Sequence, residues 1–165
     1  MAPDFALRRK LTLRARDAAG ALRQVVYVKK PGETLEHVLM KAFLWALYLP
    51  TYPALAVEVP VGDRYKPDVV QLDAEGRPTF WGEAGKVSAE KYAALVRRFP
   101  HTHFAVAKWG ERLEPHAAVV RKALDGRTRR APFELLGFPA DAGRFVGDDG
   151  EVTVTFADVE RVRLA

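Results

Sequence analysis

Pro67-Asp68-Val69-Val70-Gln71-Leu72-Asp73-Ala74-Glu75-Gly76-Arg77-Pro78-Thr79-Phe80-Trp81-Gly82-Glu83-Ala84-Gly85-Lys86 is the stretch on which the fold turns. Val69 to Leu72 and Thr79 to Trp81 are rich in β-branched, aromatic and aliphatic residues. Asp73-Ala74-Glu75-Gly76 between them is turn-forming, so the pattern predicts a β-hairpin. That hairpin sets Pro67-Asp68 beside Glu83-Ala84-Gly85-Lys86, with the glutamate fifteen residues after the aspartate. Two carboxylates and a lysine meeting there point to metal-dependent nuclease chemistry. A hard cation such as Mg2+ takes oxygen ligands: Asp68 and Glu83 would supply two, water and a phosphate oxygen the others. The ion would activate water and stabilise phosphoryl charge. A nearby lysine keeps two close carboxylates ionised and steadies the charge that develops on phosphorus-bound oxygens. Alone, a Pro-Asp pair or a glutamate near a lysine is common in turns and solvated strands; the order of the two motifs is what carries the signal.

Working outward, residues 5 to 16 and 22 to 30 alternate apolar and basic positions around Asp17-Ala18-Ala19-Gly20, which predicts an N-terminal β-hairpin with a strongly basic polar face. From Glu33 to Tyr48, Leu35, Val38, Leu39, Ala42, Phe43, Ala46 and Leu47 recur at helical spacing, acids occupy the first turn, and Pro50 ends the helix. Leu55 to Val59 reads as a strand. Beyond the central hairpin, Ser88 is an expected N-cap and Pro100 a terminator for a helix from about Ser88 to Phe99. A strand follows from His103 to Trp109, then a helix from Glu114 to Leu124 that Asp125-Gly126 closes. An apolar segment at Phe133 to Phe138, a turn at Asp148-Asp149-Gly150 and a strand from Glu151 to Phe156 complete the chain. The expected class is α/β: a mixed central sheet with flanking helices, in the order helix, three strands, helix, strand, plus the N-terminal hairpin.

With 165 residues, 48% hydrophobic and 28% charged, the chain is long and apolar enough for one domain, expected to span 1–165, and excludes a mainly disordered protein. No segment reaches the roughly 18 consecutive apolar residues of a membrane span, and Met1-Ala2-Pro3-Asp4 lacks the order of a signal peptide. A soluble cytoplasmic protein without a membrane partner is therefore expected. The absence of cysteine excludes disulfides, thiolate zinc sites and cysteine nucleophiles. A formal charge of +5 and a pI near 9.6 favour a nucleic-acid partner, because cations that neutralise phosphates release condensed counterions. Basic residues recur in Arg8-Arg9-Lys10, Lys29-Lys30, Arg97-Arg98 and Arg127-Thr128-Arg129-Arg130, although dispersed pairs of this kind most often just face solvent.

Glu33-Thr34-Leu35-Glu36, the run Ala42-Phe43-Leu44-Trp45-Ala46-Leu47, Pro67-Asp68, Gly76 and Trp81-Gly82-Glu83-Ala84-Gly85 together resemble the YaeQ family of the PD-(D/E)XK nuclease superfamily. The resemblance covers roughly residues 31 to 109. It implies a PD-(D/E)XK core and a phosphodiesterase using Mg2+ or Mn2+, with Asp68 and Glu83 as catalytic metal ligands. It also implies that a helix-borne glutamate joins the metal: Glu36 completes the ligand set and Glu33 is an auxiliary, the simpler role of either acid being to favour the helix N-terminus. The superfamily lysine stands two residues after its acid, on the same strand face, but that position here is Gly85. A bulge or strand exit at Gly85 would return Lys86 to the site; Lys91, early in the next helix, is the alternative donor.

Other attractions read more plainly. His101, His103, His37 and His116 form no recognisable constellation with a nucleophile and read as surface or packing residues. Trp45, Trp81 and Trp109 lie in apolar neighbourhoods that favour packing over base stacking. Gln71 falls on the strand face opposite Asp68 and reads as solvent-facing. The competing expectation is a non-catalytic nucleic-acid or protein-binding module on a nuclease-type fold, for which the displaced lysine is the main support.

Overall fold

A computed structural model describes residues 7–165; residues 5 and 6 of the expected first strand lie outside them. The N-terminal hairpin pairs β1 (Lys10–Arg16) with β2 (Leu22–Val28) in unbroken antiparallel register. Asp17 closes its turn by accepting from the Ala19 and Ala21 amides, both at 3.0 Å. Leu11, Leu13, Ala15 and Tyr27 are buried on the inner face. The outer face is less basic than expected: Leu22, Val26 and Val28 of β2 are exposed there. Arg14 and Arg16 are meanwhile spent on the Asp149 carbonyl and on Glu151.

Helix α1 (Leu35–Tyr48) starts at Thr34, whose side chain accepts from the His37 amide at 3.2 Å. Its regularly spaced apolar residues lie against the sheet and the hairpin. Six strands follow: β3 (Ala56–Val57), β4 (Val69–Leu72), β5 (Pro78–Ala84), β6 (His103–Trp109), β7 (Phe133–Phe138) and β8 (Glu160–Arg163). They lie side by side in sequence order. β3, β4 and β5 pair antiparallel, β5, β6 and β7 parallel, and β8 returns antiparallel to β7. The parallel steps need crossovers. These are α2 (Ala89–Arg98), capped by Ser88, and α3 (Glu114–Leu124). Both cover one face of the sheet, packing Tyr92, Leu95 and Val120 on Trp81, Phe104 and Phe133, while α1 covers the other. The inner strands β6 and β7 are buried on both faces, which is why they read as almost continuous apolar runs.

Two expected strands differ. Leu55 to Val59 contributes only Ala56–Val57, because Glu58 takes a left-handed φ of 55° that ends the pairing. Glu151 to Phe156 is not a strand: single bridges join Glu151 to Arg14 and Val152 to Val146, and the segment then bends away. Its alternating pattern is satisfied by burying Val152 and Val154. The strand in this region is β8, whose sequence Glu-Arg-Val-Arg carries one apolar residue. Among the described residues, no helix is long and apolar enough to cross a membrane.

Candidate functional site

The mouth of the central hairpin is where the two sequence motifs meet. Val69 pairs with Gly82, and the Asp68 amide donates to the Gly82 carbonyl at 3.0 Å, so continuing the register sets Asp68 across from Glu83. Asp68 Oδ2 accepts from the Ala84 amide at 2.8 Å. Glu83 is 5% exposed, on the sheet face covered by α2. Its Oε1 accepts from Trp81 Nε1 at 2.8 Å and pairs with Lys91 Nζ at 2.8 Å. Burial, and next the charge of Asp68, push the Glu83 carboxyl above its ordinary range; Lys91 and Trp81 oppose this.

Three lysines surround the pair in unequal ways. β5 ends at Ala84, and Gly85 turns the chain out of the sheet at φ +85°. Lys86 therefore emerges exposed and makes no ion pair with Glu83. Lys91 reaches Glu83 instead, because the Ser88 cap starts α2 close to the strand end; its amide is the one Ser88 Oγ accepts, at 3.1 Å. Lys108 was not among the expected residues. The register pairs Ala84 with Ala107, which sets Lys108 beside Gly85, and its Nζ donates to the Gly85 carbonyl at 2.5 Å. The available signal was a lysine interrupting the apolar run His103 to Trp109.

The helix acids separate sharply. Glu36 is exposed and bonds to none of the described side chains. Glu33 is the acid that turns inward: its Oε2 lies 2.6 Å from Lys41 Nζ and 2.6 Å from His37 Nδ1, while Oε1 accepts from the Lys30 amide at 3.0 Å. Although partial burial raises it, these bonds, Lys41 foremost, bring the Glu33 carboxyl down to about 2. Lys41 also binds Glu58 at 2.7 Å. His37 Nε2 donates to the Ala84 carbonyl at 3.0 Å, so the Glu33 cluster touches the second motif at Ala84 without adding a carboxylate to it. Tyr27, from the hairpin, buries its hydroxyl near Glu58 and Asp68, and burial followed by those charges keeps it protonated.

Asp68 Oδ1 and Glu83 Oε2 carry no bond from the described side chains. Among the described residues, no group of three or more Asp, Glu, His or Cys could hold a metal ion. A two-carboxylate oxygen set still suits Mg2+, which keeps several waters and is commonly held by one or two carboxylates plus phosphate oxygens.

No protein-family model and no curated protein matches the chain. Among solved structures, the YaeQ protein from Pseudomonas syringae superposes with a TM-score of 0.59 at 16% identity, over 93% of this chain and 90% of that one. The YaeQ protein from Xanthomonas axonopodis pv. citri gives 0.58 at 16% identity, over 82% and 76%. The fold is that of the YaeQ proteins. At this identity the likeness concerns the backbone path, and residue roles rest on the chemistry of this chain.

Within the YaeQ fold a second buried polar cluster lies at the opposite end of β6. His103 Nε2 stands 2.6 Å from Glu134 Oε1, Tyr52 Oη stands 2.9 Å from His103 Nδ1, and Arg161 closes on Glu134 Oε2. Burial raises the Glu134 carboxyl, but His103 and Arg161 outweigh it and hold the group at about 2. This cluster ties β8 to the sheet. Trp45 and Trp81 are packed in the cores, Gln71 accepts from the Ala54 amide at 2.8 Å, and His116 pairs with Glu111 at 2.7 Å.

Proposed function

We propose that the protein is a phosphodiesterase of PD-(D/E)XK type that cuts nucleic acid with Mg2+ or Mn2+. The observation that carries this is the placement of Asp68 across from Glu83 at one hairpin mouth, with the Lys91 ammonium 2.8 Å from Glu83. Asp68 Oδ1 and Glu83 Oε2 would hold the metal, which supplies a Lewis acid and an activated water. Lys91 replaces the strand lysine that Gly85 cannot provide. It opposes the rise in Glu83's proton affinity that burial and Asp68 cause, and its ammonium favours the negative charge that gathers on a transferring phosphoryl group. The Ala84 amide and the Trp81 indole orient the two carboxylates. Glu33, held by Lys41, positions α1 against β5 through His37 rather than completing the metal's ligands, and Glu36 has no part in the site.

The test is cleavage of single- and double-stranded DNA and RNA with Mg2+ or Mn2+, with Asp68→Ala and Glu83→Gln beside the parent. Loss beyond the about 10–100-fold typical of outer-shell positions is expected in both. The second reading, a binding module, is favoured by Gly85 at the lysine position. It predicts no cleavage by folded protein and nucleic-acid affinity unchanged in Asp68→Ala.

A further inference from the structure

A crevice of about 440 Å3 opens beyond the carboxyl ends of β5 and β6, between α1 and the start of α3. Its walls include Lys86, Lys108, Trp109, Met40, Glu111 and His116. Crevices at the carboxyl ends of parallel strands are where open α/β sheets bind ligands, and this volume lies in the range of small-molecule sites.

Lys108 is the residue that fold stability does not explain. It is 3% exposed, yet the only bond its amine makes among the described residues is to the Gly85 carbonyl. A buried ammonium without a carboxylate partner is costly. Burial accordingly lowers its proton affinity, with Glu111 and Glu83 only partly restoring it. Such an amine, lining a cavity, lacks an anion. Lys86 stands at the same crevice with no ion pair among the described residues, while Glu111 on the far lip is engaged by His116. Two lysines against one glutamate leave about one surplus positive charge, which suits a single phosphate group better than a triphosphate. The remaining wall is apolar and rigid: Trp109 stacks on Phe43 with centroids 6.0 Å apart and planes 12° apart, and its Nε1 donates to the Ala140 carbonyl at 3.2 Å.

We propose that this crevice is a nucleotide subsite, in which Lys108 and Lys86 hold a phosphate and the wall of Trp109 and Met40 takes the attached nucleoside. Its meaning as a substrate subsite rests on the phosphodiesterase reading, since the Gly85 carbonyl that Lys108 binds follows Glu83 by two residues. Binding itself requires neither metal nor cleavage.

The experiment is calorimetric titration in EDTA of the parent and of Asp68→Asn with AMP, adenosine and inorganic phosphate. AMP is expected to saturate one site equally in both proteins, with adenosine and phosphate each weaker by about tenfold or more. Lys108→Met preserves the stem and removes the buried charge; it is expected to weaken AMP about tenfold and leave adenosine unchanged. Lys86→Ala, at a surface position that does not threaten folding, is expected to weaken AMP less. Phosphate binding as tightly as AMP would overturn the nucleoside wall. Adenosine binding as tightly as AMP, no saturable AMP binding, or AMP affinity unchanged in both lysine variants would overturn the subsite. Normal AMP binding in a protein that cuts nothing would sink the nuclease reading alone.

Discussion

Residue identities at the hairpin mouth show what the site costs and how it is tuned. Glu83 is held above its ordinary proton affinity, so ionising it disfavours the fold, and that penalty grows as pH rises through its folded value. In metal-free protein, Glu83→Gln is therefore expected to raise the unfolding temperature near pH 7 while abolishing cleavage, with the stability gain closing as pH falls. Lys91→Ala is expected to lower metal-dependent cleavage at least about 100-fold, and Lys86→Ala to leave turnover of a saturating substrate nearly unchanged; the reverse ranking would return the role to the strand exit. Glu134 has the opposite sign to Glu83. Its carboxyl falls from an ordinary 4.5 to about 2, a difference worth up to about 3 kcal/mol, present above pH 4.5 and lost as pH falls towards 2. Glu134→Ala strands His103 and Arg161 and should cost about 3–5 kcal/mol at neutral pH, readable by denaturant unfolding, with much less acid sensitivity below pH 4.5.

Among the elements, those with their own periodicity were legible and those defined by a neighbour were not. α3 and β6 have the bounds the sequence predicted, and the apolar segment Phe133 to Phe138 proves to be β7, because a helical stripe and an apolar run need no partner to be recognised. β8 was missed because its one inward apolar residue, Val162, sits among charges, and its pairing depends on Arg161 finding Glu134. Glu151 to Phe156 misled for the converse reason: alternation records which side chains are buried and says nothing of how long a backbone partner lies alongside. At the candidate site the two acids were legible from order and spacing. Of the lysines, Lys91 was legible only as the alternative to Lys86 and Lys108 not at all, since they arrive from a helix and from the next strand. The close approach of β1 to the turn at Gly150 requires a glycine. Gly150 has φ +83°, and a Cβ there would lie 2.4 Å from the Thr12 carbonyl oxygen, so Gly150→Ala should cost about 1–3 kcal/mol by chemical denaturation. Hydrogen exchange should quicken first in β1 and β2.

On the scale of the whole molecule, charge and sheet margins govern what the surface meets. With a formal charge of +5, nucleic-acid affinity is expected to fall steeply as salt rises. Lys10 is exposed at the hairpin end where Leu11 pairs with Tyr27, the residue whose hydroxyl senses Asp68. Lys10→Ala should reduce the salt slope by about one in a binding titration, as loss of one phosphate contact does. The six-stranded sheet has two margins, one only two residues long and the other mostly arginine and glutamate. Neither offers a template on which a foreign strand could grow. The outer edge of β2 is different, being seven residues long, without a further strand partner among the described residues, and flanked by exposed Leu22, Val26 and Val28. Self-association in concentrated solution is thus expected to begin at this strip of the surface, and a single charge placed there, as in Val26→Lys, should keep the solution clear where the parent begins to scatter light.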